Sequence, residues 1–178
     1  MDFARVLAEV SRFLREQHAR FALAGAVALN AHGMARATVD LDLVVEERVK
    51  PALLRFMASL GYEQLKVTEG YSNHLHAEAS LGRLDFIYLD PHTADLLFGR
   101  ARLARPLGDL DVLVPSPEHL AAMKVQAIKN NPSRKFKEMA DIQFLLGLPG
   151  VDEAEIKRYF EKQGLKAVFD EIKRASNA

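Results

Sequence analysis

Two aspartates inside an apolar stretch constrain this chain more than any other feature. Asp40 and Asp42 stand one residue apart within residues 38–45, whose apolar character is typical of a β-strand. Side chains alternate between the two faces of a strand, so both aspartates lie on the same face. The opposite face of this predicted strand would carry Val39, Leu41, Leu43 and Val45. Two carboxylates side by side repel each other, and a bound divalent cation removes that penalty, so the pattern favours a metal site.

A third acid occupies a similar position further along the chain. Asp85 interrupts residues 83–89, which are otherwise mostly apolar and also read as a strand. A carboxylate there is costly unless it has a partner, which is either the same metal or a salt bridge to Arg36 or Arg83. For Asp40 and Asp42 the alternative is an edge strand whose polar face meets water.

A glycine turn precedes the first acidic pair. Gly25 and Ala26 lie between a short apolar run and an alanine-rich segment, which predicts a strand, a tight turn and a helix. Free N–H groups at the start of a helix favour a phosphate, and glycine permits its close approach. Magnesium completes its octahedral shell with water and phosphate oxygens, so this turn and the acids together imply a nucleoside triphosphate.

The remaining pattern predicts an α+β fold with an α/β-like core. A first helix ends near His18, and three or four helices follow Ser116. Between them we expect strands at residues 21–24, 38–45, 62–67, 74–79 and 83–89, helices at 26–32, 49–60 and from about 92, and a small hairpin within 102–114. The prediction is a core over residues 1–115 and a helical part over 116–178 that packs on it as one compact unit.

Composition narrows the chemistry further. The 24 basic and 24 acidic side chains balance, so bulk charge points to neither nucleic acid nor membrane. The chain has no cysteine, which excludes disulfides, thiolate zinc sites and thiol nucleophiles. The N-terminal segment is charged and helix-patterned, and no apolar run is long enough to cross a bilayer, so we expect a cytoplasmic protein.

Taken in order, the turn and the acids resemble the nucleotidyltransferase superfamily related to DNA polymerase beta. In that family a hydrophobic residue and Gly-Gly or Gly-Ser precede acid-hydrophobic-acid on the next strand. Here Ala24-Gly25-Ala26 is followed, after thirteen residues, by Asp40-Leu41-Asp42. The resemblance covers roughly residues 20–145. It implies a mixed nucleotidyltransferase-type sheet flanked by helices.

The segment before the acids narrows the resemblance. Arg36, Thr38, Asp40 and Asp42 match Arg-x-Thr-x-Asp-hydrophobic-Asp, a variant found in bacterial AbiEii-type and minimal nucleotidyltransferases of toxin–antitoxin systems. The resemblance implies that the three aspartates are catalytic and bind Mg²⁺ or Mn²⁺. The nucleotide-binding residues that it implies are Gly25, Ala26, Arg36, Thr38, Lys124 and Lys137.

Two lysines of the C-terminal part are among the nucleotide-binding residues that the resemblance implies. On the helix that Ser116 begins, a helical projection places Lys124 near the centre of an apolar stripe. Its ammonium either follows its stem out to water or, as the resemblance implies, reaches the triphosphate. Lys137-Glu138-Met-Ala-Asp141 resembles the family's Lys-Asp-x-x-Asp segment, with Glu138 in place of the first aspartate. The spacing of Lys137 and Asp141 favours a solvated ion pair, although the basic stretch at 129–137 is also suited to a triphosphate or an RNA acceptor.

We therefore expect transfer of NMP from an NTP to a hydroxyl of RNA, protein or a small molecule, with a cognate toxin or antitoxin as a possible partner. Ala26 stands where the family has Gly or Ser, so a phosphate-binding hydroxyl is missing. This favours the alternative of a catalytically silent, nucleotidyltransferase-like binding or antitoxin protein. A third reading, modification of an aminoglycoside, requires an acidic pocket and is disfavoured by the basic 129–137 segment.

Overall fold

The computed structural model describes residues 1–176, which divide into two compact units at the bond between Pro115 and Ser116. The first unit is mixed and contains the predicted core. Its described helices are α1 (Phe3–Glu16), α2 (Gly25–Ala31), α3 (Lys50–Ser59) and α4 (Pro91–Gly99). Its strands are β1 (Phe21–Leu23), β2 (Asp40–Glu46), β3 (Glu63–Val67), β4 (Tyr71–Leu75), β5 (Arg83–Leu89), β6 (Arg102–Ala104) and β7 (Val112–Val114). The predicted α+β class is confirmed.

The seven strands form one mixed sheet in the order β3-β4-β5-β2-β1-β7-β6. Strand β2 pairs in parallel with β5 and antiparallel with β1, so it lies in the middle of the sheet. The alternative of an edge strand is therefore wrong. Leu41 and Leu43, predicted on the face opposite the aspartates, are fully buried, whereas Val39 is 81% exposed because the strand begins at Asp40, two residues later than predicted.

The strand predicted at residues 74–79 lies earlier, at Tyr71–Leu75. The sequence pattern missed its start because two polar side chains, Ser72 and His74, are buried in it. Ser72 links them to the neighbouring strand, since its Oγ lies 2.8 Å from His74 Nε2 and 2.6 Å from the Tyr88 hydroxyl. Residues 76–82 form the loop before β5, and Gly82 closes it with a φ of +59°.

The second unit consists of helices. They are α5 (Pro117–Asn130), α6 (Lys135–Leu146), α7 (Glu153–Lys162) and α8 (Lys166–Ser176). Ser116 caps α5 by accepting a hydrogen bond from the His119 N–H, and Pro117 occupies the first helical position, as predicted. Helix α5 packs on α6 and α7, with Leu120, Ile142 and Phe160 among the buried side chains. The packing of this unit on the first stays a prediction.

No helix within residues 1–176 has both the length and the apolar character of a membrane-crossing segment.

Candidate metal and nucleotide site

The register of two neighbouring strands brings the predicted acids together. In the parallel pair of β2 and β5, Asp42 is opposite Asp85 and Asp40 is opposite Arg83. Residues two apart on a strand share a face, so these four side chains form a block on one face of the sheet. One oxygen from each of the three carboxylates lies within 4.8 Å of the other two. We call Asp40, Asp42 and Asp85 the acidic triad.

Arg83 is hydrogen-bonded to one member of the triad. Its Nε donates to Asp85 Oδ1 and its Nη2 to Asp85 Oδ2, both at 2.9 Å. These bonds, together with the negative charges of Asp85, Asp40 and Asp42, raise the pKa of the guanidinium despite its partial burial. The salt bridge considered for Asp85 is thus present, and it coexists with the convergence of the three acids.

Gly25 packs directly against the triad. At the start of α2 it has a φ of +55°, a left-handed conformation that glycine adopts readily. A Cβ at this position would stand 1.9 Å from Asp42 Oδ2 and 2.7 Å from Asp42 Cγ. The chain therefore needs glycine here for two reasons, the backbone angle and the space that Asp42 occupies.

The segment between α2 and β2 is fixed by side-chain hydrogen bonds. The Asn30 amide donates to the Arg36 carbonyl at 3.0 Å, and its Oδ1 accepts from the Arg36 N–H at 3.1 Å. Further along, the Thr38 hydroxyl donates to a carboxylate oxygen of Asp40. Thr38 and Arg36 thus lie on a segment held next to the triad. Asn30 was not predicted, because an asparagine near a helix end is also compatible with simple exposure to water.

Ala26 is the second residue of α2, and only 7% of it is exposed. Its methyl group therefore packs within the core unit rather than standing free. The hydroxyl that the family's serine would offer is absent, as the sequence shows.

The acidic triad fits a divalent cation of the magnesium type. Its donors are all carboxylate oxygens, which hard cations prefer. One oxygen of each carboxylate lies within 4.8 Å of the other two, so side-chain rotation can bring the three oxygens to about 2.1 Å from one ion, the usual Mg²⁺ bond length. All three residues are half-buried, which leaves room for water and substrate oxygens to complete the shell.

Lys124 lies in a buried ionic cluster of the second unit. Its ammonium is 2.8 Å from Glu138 Oε2 and 2.5 Å from Asp141 Oδ2, and the two acidic side chains are 1% and 3% exposed. Arg134 Nε donates to the other oxygen of Glu138 at 2.8 Å. Lys124 lies on the packed face of α5, as the helical projection predicts, and its ammonium pairs with these acids rather than following its stem out to water. We call Lys124, Arg134, Glu138 and Asp141 the helical cluster.

The basic segment before and within α6 is partly neutralised. Arg134 pairs with Glu138, and Lys135 pairs with Glu171 at 2.7 Å. Lys137 is exposed, and the solvated pair expected between it and Asp141 is wrong, because Asp141 is buried against Lys124. The spacing of Lys137 and Asp141 did not reveal this pairing. Glu138 and Asp141 are one helical turn apart, and both face α5.

Comparison with protein families gives one clear match. The sequence model described as nucleotidyl transferase AbiEii toxin, type IV toxin–antitoxin system, matches residues 5–177. No curated protein sequence matches.

Solved structures of similar fold include an antibiotic-resistance factor and a lincosamide antibiotic adenylyltransferase. The antibiotic-resistance factor ANT(2'')-Ia superposes with a TM-score of 0.66 at 15% identity, covering 98% of this chain and 96% of the other. The lincosamide adenylyltransferase LnuA superposes with a TM-score of 0.56 at 12% identity, covering 80% of this chain and 96% of the other. An antigenic nucleotidyltransferase-like protein from Paracoccidioides brasiliensis superposes with a TM-score of 0.56 at 15% identity, covering 97% of this chain and 92% of the other. At these identities the likeness is one of fold.

Proposed function

The chain belongs to the AbiEii nucleotidyltransferase family, and on that premise we propose that it transfers a nucleoside monophosphate from an NTP to an acceptor hydroxyl. The observation that carries the proposal is the convergence of Asp40, Asp42 and Asp85 next to Gly25. Three carboxylates this close repel one another, and a divalent cation between them removes that penalty.

In this proposal Asp40 and Asp42 hold a divalent cation, Mg²⁺ or Mn²⁺, and Asp85 completes the ligand set. When bound, such a cation neutralises charge on the triphosphate and on the departing pyrophosphate. Asp85 accepts the proton of the acceptor hydroxyl. The hydroxyl oxygen then bonds to the α-phosphorus while the bond from that phosphorus to the bridging oxygen breaks, and pyrophosphate leaves.

The turn at the start of α2 is proposed to contact the triphosphate. The first N–H groups of a helix have no partner within that helix, and Gly25 lets a ligand approach the backbone closely. Arg36 and Thr38 lie on the segment that Asn30 fixes, and we assign them to the same nucleotide site. The family resemblance also proposes Lys124 and Lys137 as nucleotide contacts, and for Lys124 this requires its ammonium to leave Glu138 and Asp141.

The acceptor is best sought by a direct experiment. The purified chain is incubated with each α-³²P-labelled NTP and Mg²⁺, with three acceptor pools: total RNA, cellular protein and an aminoglycoside. The last pool is included because a similar fold is known in complex with adenylyl-2''-tobramycin. We expect label in RNA or protein, its loss on addition of EDTA, and release of pyrophosphate. No incorporation from any NTP into any pool would contradict the proposal.

A second candidate is supported by Ala26, which removes a hydroxyl from the turn. In this reading the chain keeps the fold but is a catalytically silent partner of a toxin or antitoxin. Calorimetric titration with ATP separates the two candidates. The enzyme reading requires binding that depends on Mg²⁺, whereas the silent reading predicts no Mg²⁺-dependent binding.

A further inference from the structure

Arg83 lies inside the acidic block of the sheet. It is opposite Asp40 in the register of β2 and β5, and it precedes Asp85 by two residues on the same face. Its two donors bind both oxygens of Asp85, each at 2.9 Å, in the forked geometry that fits a carboxylate best. The guanidinium is therefore a fixed positive charge at the place where a cation would bind.

A guanidinium and a divalent cation that share one carboxylate repel each other. Each carboxylate oxygen offers two lone pairs, so the bonds from Arg83 leave Asp85 able to reach a metal as well. The metal would nevertheless be repelled by the fixed positive charge a few ångströms away. Arg83 also removes the need for a metal to hold Asp85 in place, because the two hydrogen bonds already fix its side chain.

We propose that Arg83 is a positioning residue that holds Asp85 in the metal-free triad and weakens the affinity of the triad for a divalent cation. The inference rests on the proposed function, since it takes the triad as the cation site. Its consequence is coupling: the cation is held firmly only when a triphosphate adds its own negative oxygens, so cation and nucleotide strengthen each other's binding.

The test is a titration of the full chain with Mn²⁺ alone, without nucleotide, in which free Mn²⁺ is measured by electron paramagnetic resonance. Arg83→Gln removes the charge, Arg83→Lys keeps it, and Arg105→Gln is the matched control. Arg105 makes the same forked contact, to Asp111 at 2.7 and 3.1 Å, outside the triad. We expect Arg83→Gln to bind Mn²⁺ about tenfold more tightly than the natural protein, with Arg83→Lys and Arg105→Gln unchanged.

Thermal unfolding supplies a second readout that does not depend on activity. Without metal, Arg83→Gln should melt below the natural protein, because Asp85 loses its partner. Saturating Mn²⁺ should raise the melting temperature of Arg83→Gln by more than it raises that of the natural protein, since the variant binds the ion more tightly. The double variant Arg83→Gln, Asp85→Asn should bind Mn²⁺ less tightly than Arg83→Gln.

Equal or weaker Mn²⁺ binding by Arg83→Gln, in a protein that still transfers label from NTP, would overturn this inference and leave the proposed function standing. Absence of Mn²⁺ binding in the natural protein and in all variants, together with absence of transfer, would overturn both.

Discussion

The acidic triad of the sheet and the helical cluster are both groups of acids, and they differ in burial and in the arrangement of their basic partners. In the helical cluster, Glu138 and Asp141 are almost fully buried and pair with Lys124 and Arg134, so the acids and bases are equal in number. In the triad, three half-buried acids converge next to Gly25, and Arg83 donates two hydrogen bonds to Asp85. We expect the helical cluster to stabilise its own unit, and we propose that the triad binds a charged ligand.

The largest effect is expected from the triad. Asp40→Asn, Asp42→Asn and Asp85→Asn each keep the side-chain shape and remove one negative charge. We expect each to lower the rate of label transfer from α-labelled NTP by about a thousandfold or more, because charge stabilisation at the reacting phosphate is lost. The folded state should be retained, since mutual repulsion is relieved.

Asp111→Asn is the control for these variants, because Asp111 is also paired with an arginine but lies outside the triad. It should keep full transfer. Undiminished transfer in all three triad variants would show that the triad is not the catalytic centre.

The helical cluster should respond in stability. Lys124→Met leaves Glu138 and Asp141 buried without their shared ammonium, which costs about 3–5 kcal/mol when one partner of a buried ion pair is removed. Lys137→Met, the same change at an exposed lysine of α6, should stay within about 0.5 kcal/mol of the natural protein. Urea unfolding followed by circular dichroism measures both. Equal stability of the two variants would mean that the cluster does not hold the helices together.

Gly25 offers a smaller but more local perturbation of the triad. The Cβ of Gly25→Ala would collide with the Asp42 carboxylate, so Asp42 must move out of the triad. We expect transfer to fall by about a hundredfold, in the range found when one element of charge stabilisation is misplaced.

Gly33→Ala separates this collision from backbone strain. Gly33 also has a positive φ, +99°, but a Cβ there meets nothing within 4 Å. It should cost about 1–2 kcal/mol of stability and leave transfer by the folded protein intact. Equal loss of transfer in both glycine variants would assign the effect to strain rather than to Asp42.

The smallest effect is expected at Ala26. Ala26→Ser restores the hydroxyl of the related sequences, and a hydrogen bond to a charged phosphate contributes about 1.5 kcal/mol at the low end of its usual range. Calorimetry should therefore show NTP binding in the presence of Mg²⁺ strengthened by about tenfold. Weaker binding would mean that the buried Ala26 position has no room for a hydroxyl.

The strands and acids of the first unit were predictable because their signals are local. The two-residue alternation of side chains along a strand places Asp40 and Asp42 on one face. The same alternation places Leu41 and Leu43 on the opposite face, where they are buried. The strand containing Ser72 and His74 was misplaced, because these polar residues are buried, with Ser72 hydrogen-bonded to a tertiary partner, Tyr88, that no local pattern reveals.

The partners of the charged side chains were the least predictable part. Local spacing linked Lys137 to Asp141, whereas Asp141 in fact contacts Lys124, seventeen positions earlier on another helix. Asp141 pairs with Lys124 rather than Lys137 because it is buried, and its burial depends on how α5 and α6 pack. For Asp85 the sequence left two alternative partners, a metal and an arginine. In the structure Arg83 donates hydrogen bonds to Asp85, a member of the triad.

The most direct test of the account is to locate a cation in crystals of the full chain grown with Mn²⁺ and a non-hydrolysable NTP analogue, using anomalous scattering at the manganese edge. The account predicts an anomalous peak coordinated by Asp40 and Asp42, at roughly 2.1–2.2 Å from their carboxylate oxygens, as for hard octahedral cations. It also predicts that the α-phosphate of the analogue lies next to this peak. Bound nucleotide with no peak at the triad would contradict the account.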